Sequence, residues 1–261
     1  MKRAVKHILT GICALALAAC IVMAFTAGAG ARRSIRCTGL EVVVLDSLQN
    51  SFVSAKDVKG YIDREYGSYI GQAIDSIDLV RVEDIIDGRS AVLKSQAYVT
   101  MDGMLHVEVT QRRPVVRFQK VGGGFYADAE GFIFPLQRTY ASHVQVIDGN
   151  IPLAANSGYK GAIEDPKEKE WFDRMMEIVN FMEKSRIWKD KIVQIHIDAD
   201  RNVILIPREG NEKFLFGQPV RIEEKFRKME KYYTHIVPAK GEGHYRTVDL
   251  KYDGQIVCKA K

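Results

Sequence analysis

The residues of this chain that could do chemistry are six histidines, four cysteines and a scatter of carboxylates, and their spacing decides how far that goes. His7, His106, His143, His196, His235 and His244 never recur at i,i+3 or i,i+4, so no helix presents two imidazoles to one zinc ion. No Cys-x-x-Cys pair and no Cys/His cluster occurs, which argues against a structural zinc site. Asp198, Asp200 and Asn202, followed by Glu209, imitate the spacing of a calcium loop. The sixth place of that loop needs glycine and holds Val203, and both flanks look like strands, so the segment reads as a hairpin turn. Gly122-Gly123-Gly124 lacks the Lys-Ser/Thr of a phosphate cradle and reads as a turn. Cys258 with His244 or His196 is the remaining nucleophile and base, but Cys258 lies in a strand-like run. Trp171 and Phe172 fit a helix core better than a carbohydrate platform. No catalytic residue, metal ligand or cofactor site is assigned, and the chain does not read as an enzyme.

The bulk properties narrow the class further. With 46% hydrophobic and 27% charged residues in 261, the composition is that of an ordinary globular protein. The net charge is +5, but Lys2, Arg3 and Lys6 supply much of it, and the remainder lacks the basic footprint of a nucleic-acid binder. Ile8 to Ala31 contains no Asp, Glu, Lys, Arg or His. As a helix it would extend about 36 Å, against a hydrocarbon core of roughly 30 Å. Three fates are open to it: a signal peptide cleaved at Ala29-Gly30-Ala31, a lipoprotein signal ending at Leu17-Ala18-Ala19-Cys20, or an uncleaved single span. The full apolar length favours the span, giving a cytoplasmic tail at 1–7, a transmembrane helix at 8–31 and a large domain outside. Cys13 and Cys20 fall in the apolar run. Cys37 and Cys258 then read as two unpaired thiols, with a disulfide between them open only in an oxidising compartment.

The elements that must position any functional surface follow from periodicity. Glu41 to Leu45 reads as a strand; Ser54 caps a helix carrying Val58, Tyr61 and Ile62; Asp78 to Asp87 reads as a second helix ending at Gly88. Ala91 to Thr100 and Leu105 to Thr110 are strands joined across Asp102-Gly103. Burying these faces predicts a three-stranded sheet with two helices on one side. Beyond Pro114 come a strand at Val115 to Phe118, two short strands within Gly124 to Leu136, and one at Val144 to Ile147. A helix from Lys167 to Lys184 has a wide apolar face. Strands follow at Val193 to Ile197, Val203 to Ile206 and Lys213 to Phe216, then a helix from Ile222 to His235. A terminal hairpin, Tyr245 to Tyr252 and Gln255 to Lys259, closes the chain and offers a sheet edge to which a partner strand could add.

The strings GGGFYADAEGFIFPL, QIHIDADRNVILIP, FLFG before EEKFRKMEKYY, and YRTVDLKYDGQIVCK resemble the bacterial cell-division family FtsQ, also called DivIB. That resemblance spans essentially the whole chain. It implies an α+β fold: one N-terminal transmembrane helix, a POTRA domain (β-α-α-β-β) at 32–113, and a mixed β-sheet domain with packed helices at 114–261. The implied function is a non-catalytic divisome scaffold in the cytoplasmic (inner) membrane at the division septum, with its C-terminal domain periplasmic. It would bind FtsB and FtsL and through them act on the septal peptidoglycan synthases FtsW and FtsI, with no cofactor, nucleic acid or small-molecule substrate. The resemblance places the partner surface at Val248, Asp249, Leu250, Lys251, Tyr252, Asp253 and Gly254, with Tyr252 as an aromatic anchor and Lys251 as a charge partner. The alternative is a membrane-anchored POTRA protein of outer-membrane assembly or transport, although only one POTRA-like unit is visible.

Overall fold

The computed structural model describes residues 15–23, 35–47, 51–137 and 140–260. Most of the span expected at 8–31 lies outside these residues. Its described part, 15–23, is helical (α1) and exposes Leu15, Leu17, Ile21, Val22 and Met23. Among the described residues no helix is long and apolar enough to cross a membrane. The chain divides into two compact units, Met1–Gln49 with Val53–Gln111, and Asn50–Phe52 with Arg112–Lys261.

The first unit holds β1 (Gly39–Val44), α2 (Ala55–Glu65), α3 (Leu79–Asp87), β2 (Val92–Val99) and β3 (Met104–Gln111). Ser54 starts α2 with a capping box. Its hydroxyl accepts the Asp57 N–H, and the Asp57 carboxylate accepts the Ser54 N–H and hydroxyl. Those bonds from Ser54 hold the Asp57 carboxyl below its ordinary value. Asp78 caps α3 by accepting the Arg81 N–H at 3.0 Å. Val58 and Ile62 of α2 and Val82 and Ile86 of α3 recur at i,i+4 and are fully buried. The sheet order is β1-β3-β2, with β1 parallel and β2 antiparallel to β3. The β2 edge is partly closed to strangers, because the Ala97 N–H already donates to the Glu83 carboxylate of α3 at 2.7 Å.

The second unit is built on one nine-stranded sheet. Its strands are β4 (Pro114–Lys120), β5 (Gly123–Asp128), β6 (Ile133–Pro135), β7 (Gln145–Gly149), β8 (Ile192–Ile197), β9 (Val203–Pro207), β10 (Lys213–Gly217), β11 (Tyr245–Asp249) and β12 (Val257–Ala260). They lie in the order β12-β11-β10-β9-β8-β7-β4-β5-β6. Hairpins join neighbours antiparallel, while β7 and β8 pair in parallel across the long helix α4 (Pro166–Lys184). The strands β10 and β11 are likewise parallel, across α5 (Ile222–Lys231), a π-helical turn at Tyr232–Ile236 and α6 (Val237–Lys240). The helical segment therefore runs past the expected end at His235. The π-helical turn precedes Pro238, which stands at the start of α6 and has no N–H to donate to the turn before it.

Strand alternation sends one set of side chains to the core. Phe118, Ile147, Ile195, Leu205, Phe214 and Val248 occupy equivalent positions across six strands. They meet Phe172, Met175, Val179 and Met182 of α4 and Phe226 and Met229 of α5 in one cluster. Deeper in the same unit, buried Asp128 binds Arg112 at 2.9 Å and accepts the Phe132 N–H at 2.8 Å, while the guanidinium lies 3.5 Å over the Phe132 ring. This pair shapes the Asp128-Ala129-Glu130-Gly131 turn between β5 and β6. Asp198 is likewise spent on its own turn, its Oδ1 accepting the N–H groups of Asp200 and Asn202.

Candidate functional site at the terminal hairpin

A nine-stranded open sheet has two ends, and here they differ. At the β6 end, Ile133 and Gly161 exchange a pair of backbone bonds at 2.9 Å, so that edge is occupied by the chain itself. At the other end β12 pairs only with β11, and among the described residues no strand lies on its outer side. An edge of this kind presents unpaired N–H and C=O groups to a stranger.

The seven residues expected to form the partner surface divide into two buried, one half-buried and four exposed. Val248 and Leu250 are fully buried in the core cluster. The backbone of Val248 is paired on both sides, to Phe214 and Cys258, and the Leu250 N–H donates to the Leu215 carbonyl at 3.1 Å. The regular strand ends at Asp249, earlier than the periodicity predicts. Asp249 is turned toward its neighbour, accepting the Lys251 N–H at 2.9 Å and lying 3.3 Å from its ammonium. Lys251, Tyr252, Asp253 and Gly254 are exposed, Tyr252 at 49%. Gly254 takes a φ of 66°, which reverses the chain toward β12. The exposed strip continues on the free strand with Val257 and Lys259. The sequence reading named the terminal hairpin as a sheet edge, but its list of partner residues stopped at Gly254, short of β12.

The support comes from below. Two lysines of α5 are buried with their cations aimed at backbone carbonyls, Lys225 at Gln218 (2.7 Å) and Lys228 at Tyr252 (2.6 Å). The signal for them was in the sequence. Lys225 stands at i+3 on the stripe Ile222, Phe226, Met229, where a helix of this kind normally carries an apolar residue. Burial pushes the Lys225 pKa down from 10.5 to about 8, against its contact with the Phe216 ring at 4.6 Å. Between those values the unfolded chain holds a proton that the folded chain has released, so stability rises with pH from about 8 toward 10. Above pH 10 the direction reverses. Burial raises Tyr232 from 10.0 to about 12 and Tyr233 further, so unfolded tyrosines lose protons that the folded ones keep. Thermal unfolding at about pH 7, about 9.5 and about 11 is expected to give its highest midpoint at the middle value, and Lys225→Met to flatten the first rise.

Among the described residues, the histidines and the cysteine considered first are not brought together. Cys258 is a free thiol pushed up by burial, and among the described residues no hydrogen bond links it to a histidine. His196 is oriented by Asp148 at 2.8 Å, which also accepts from Gln194 at 2.7 Å. No hydroxyl or thiol bonds its other nitrogen among the described residues. His244 packs edge-on to Tyr245.

Comparison with known families agrees with this division. A family model for the C-terminal related region of FtsQ/DivIB matches residues 113–259, and one for a POTRA-like domain matches residues 35–110. No curated protein matches the chain. The first match covers more than half of the 261 residues and takes in the nine-stranded sheet except the last residue of β12, while the second covers the β-α-α-β-β unit except the last residue of β3. The chain therefore belongs to the FtsQ/DivIB family, with a POTRA-like domain followed by that family's mixed α/β sheet domain.

Proposed function

We propose that this protein is a non-catalytic scaffold of bacterial cell division whose free strand β12 receives a strand from FtsB in complex with FtsL. Through that pair it would link early division proteins to the septal synthases FtsW and FtsI. The observation that carries the reading is the asymmetry of the sheet: the β6 edge is occupied, whereas among the described residues β12 has no outer neighbour and carries exposed Val257 near exposed Tyr252. Main-chain bonds along β12 would supply affinity, and Tyr252 an aromatic anchor beside them. The proposed setting is the cytoplasmic membrane, crossed once at 8–31 with the N-terminus inside. In support, the described part of that segment exposes five large apolar side chains.

The test is binding of the full chain, purified in mild detergent, to the periplasmic segments of FtsB and FtsL. Wild type is expected to bind, and Tyr252→Ala to weaken binding by about 30-fold or more, the scale of an interface anchor. Tyr252 is exposed and outside the core, so the unfolding midpoint should stay where it is. Absence of binding by wild type would remove the partner assignment; wild-type affinity in Tyr252→Ala would remove the anchor.

A further inference from the structure

The tip of the terminal hairpin takes its shape from the helix behind it. Once the chain leaves β11 at Asp249, the carbonyls of Leu250 and Tyr252 both accept from the Lys228 ammonium, at 3.4 and 2.6 Å. The third acceptor on that ammonium is the Glu224 carboxylate at 2.9 Å, so all three of its N–H donors have a place to go. Lys228 is 8% exposed, and its bond to Glu224 is the main reason that carboxyl is held below its ordinary value.

A second grip lies about two turns earlier, at the start of the same helix. Arg221 stands at the start of α5 with φ at 53°, a left-handed conformation that aims its guanidinium at the Asp253 carboxylate. Its second carboxylate neighbour, Glu224, is 3.8 Å away. Beneath the tip, Gly217 has φ at 73°, and a Cβ there would come within 2.6 Å of the Lys251 Cγ. The turn is thus held at Leu250, Tyr252 and Asp253 by α5 and lies against the end of β10.

A buried ammonium is an expensive way to fill space, since an apolar side chain of equal length avoids its desolvation. What lysine adds is direction: it fixes two carbonyls relative to one helix. We propose that Lys228 and Arg221 are positioning residues for partner docking, presetting the turn so that Tyr252 and the free side of β12 meet the incoming strand as one surface. This inference rests on the strand-addition reading above. A preset surface loses less freedom on binding, so removing the grip lowers affinity without removing any contact to the partner.

The test uses the full chain with Lys228→Met and with Arg221→Gly, the second chosen because glycine adopts the left-handed conformation without strain. Amide hydrogen exchange in the free protein is read at Lys251–Gly254 and in the β8–β9 ladder, and affinity is read with the FtsB and FtsL segments. For Lys228→Met the expected result is about tenfold faster exchange in the turn, an unchanged ladder and about tenfold weaker binding. For Arg221→Gly it is about threefold in each, with the difference from wild type fading at high salt. Turn exchange unchanged in both variants overturns the proposal, and so does a loosened turn with wild-type affinity. If wild type does not bind the segments, the partner reading falls and takes the docking role with it, while exchange still decides whether α5 holds the turn.

Discussion

Proline at Cys258 and proline at Lys259 are expected to fail in different ways. Consecutive amides of an edge strand face alternately into the ladder and out to solvent. Cys258 and Lys259 stand opposite Val248 and Thr247. One of the two substitutions therefore deletes a bond to β11, and the other deletes a donor that only a partner strand would use. The inward variant should lose both stability and binding. The outward variant should keep its unfolding midpoint and bind the FtsB and FtsL segments about 30-fold more weakly or worse, from a lost main-chain bond and a ring set against the new strand. Normal binding by both variants would place the partner elsewhere. The same comparison at Leu250 would be uninformative, because its N–H is committed to Leu215 within the protein.

The largest stability effect is expected at Asp128→Ala. The pair with Arg112 is nearly sealed, the side chains retaining 5% and 14% exposure, so truncating the acid strands a guanidinium away from water. The Phe132 N–H loses its acceptor at the same time. Together these should cost about 3–5 kcal/mol, read as a lower urea midpoint. Replacing both partners, Arg112→Met with Asp128→Leu, should return much of that loss, since no charge is then left buried alone. A loss below about 1 kcal/mol for Asp128→Ala would mean that water reaches the guanidinium after all.

The local elements were largely legible because each carries its own signal. Ser54 with Asp57, Asp78, and Pro166 after Asp165 mark helix starts through bonds to nearby N–H groups, which spacing alone predicts. The Val193 to Ile197 alternation and the Asp102-Gly103 turn likewise depend on neighbours in sequence. The strand order was not legible. The parallel pairs β4–β7, β7–β8 and β10–β11 join segments separated by other elements, and nothing in their residues states which edge each will take. The site shows the same split. Tyr252, Val248 and Leu250 all entered the surface by resemblance; Tyr252 is exposed, whereas Val248 and Leu250 lie in the core. Lys228 was passed over because a lysine in a helix rich in Glu and Lys normally reads as a solvated charge.

The parallel pairing of β10 with β11 also orders events during synthesis. The acceptor strand can join the sheet only after α5 has crossed back and β11 has found β10, and β12 leaves the ribosome after all of them. At about 5–20 residues per second, β4 through β10 emerge seconds ahead of the proposed docking edge. On the strand-addition proposal, recruitment would thereby be withheld from nascent chains. A message that stops before Val257 would yield a protein with most of its sheet and without the strand proposed to receive the partner.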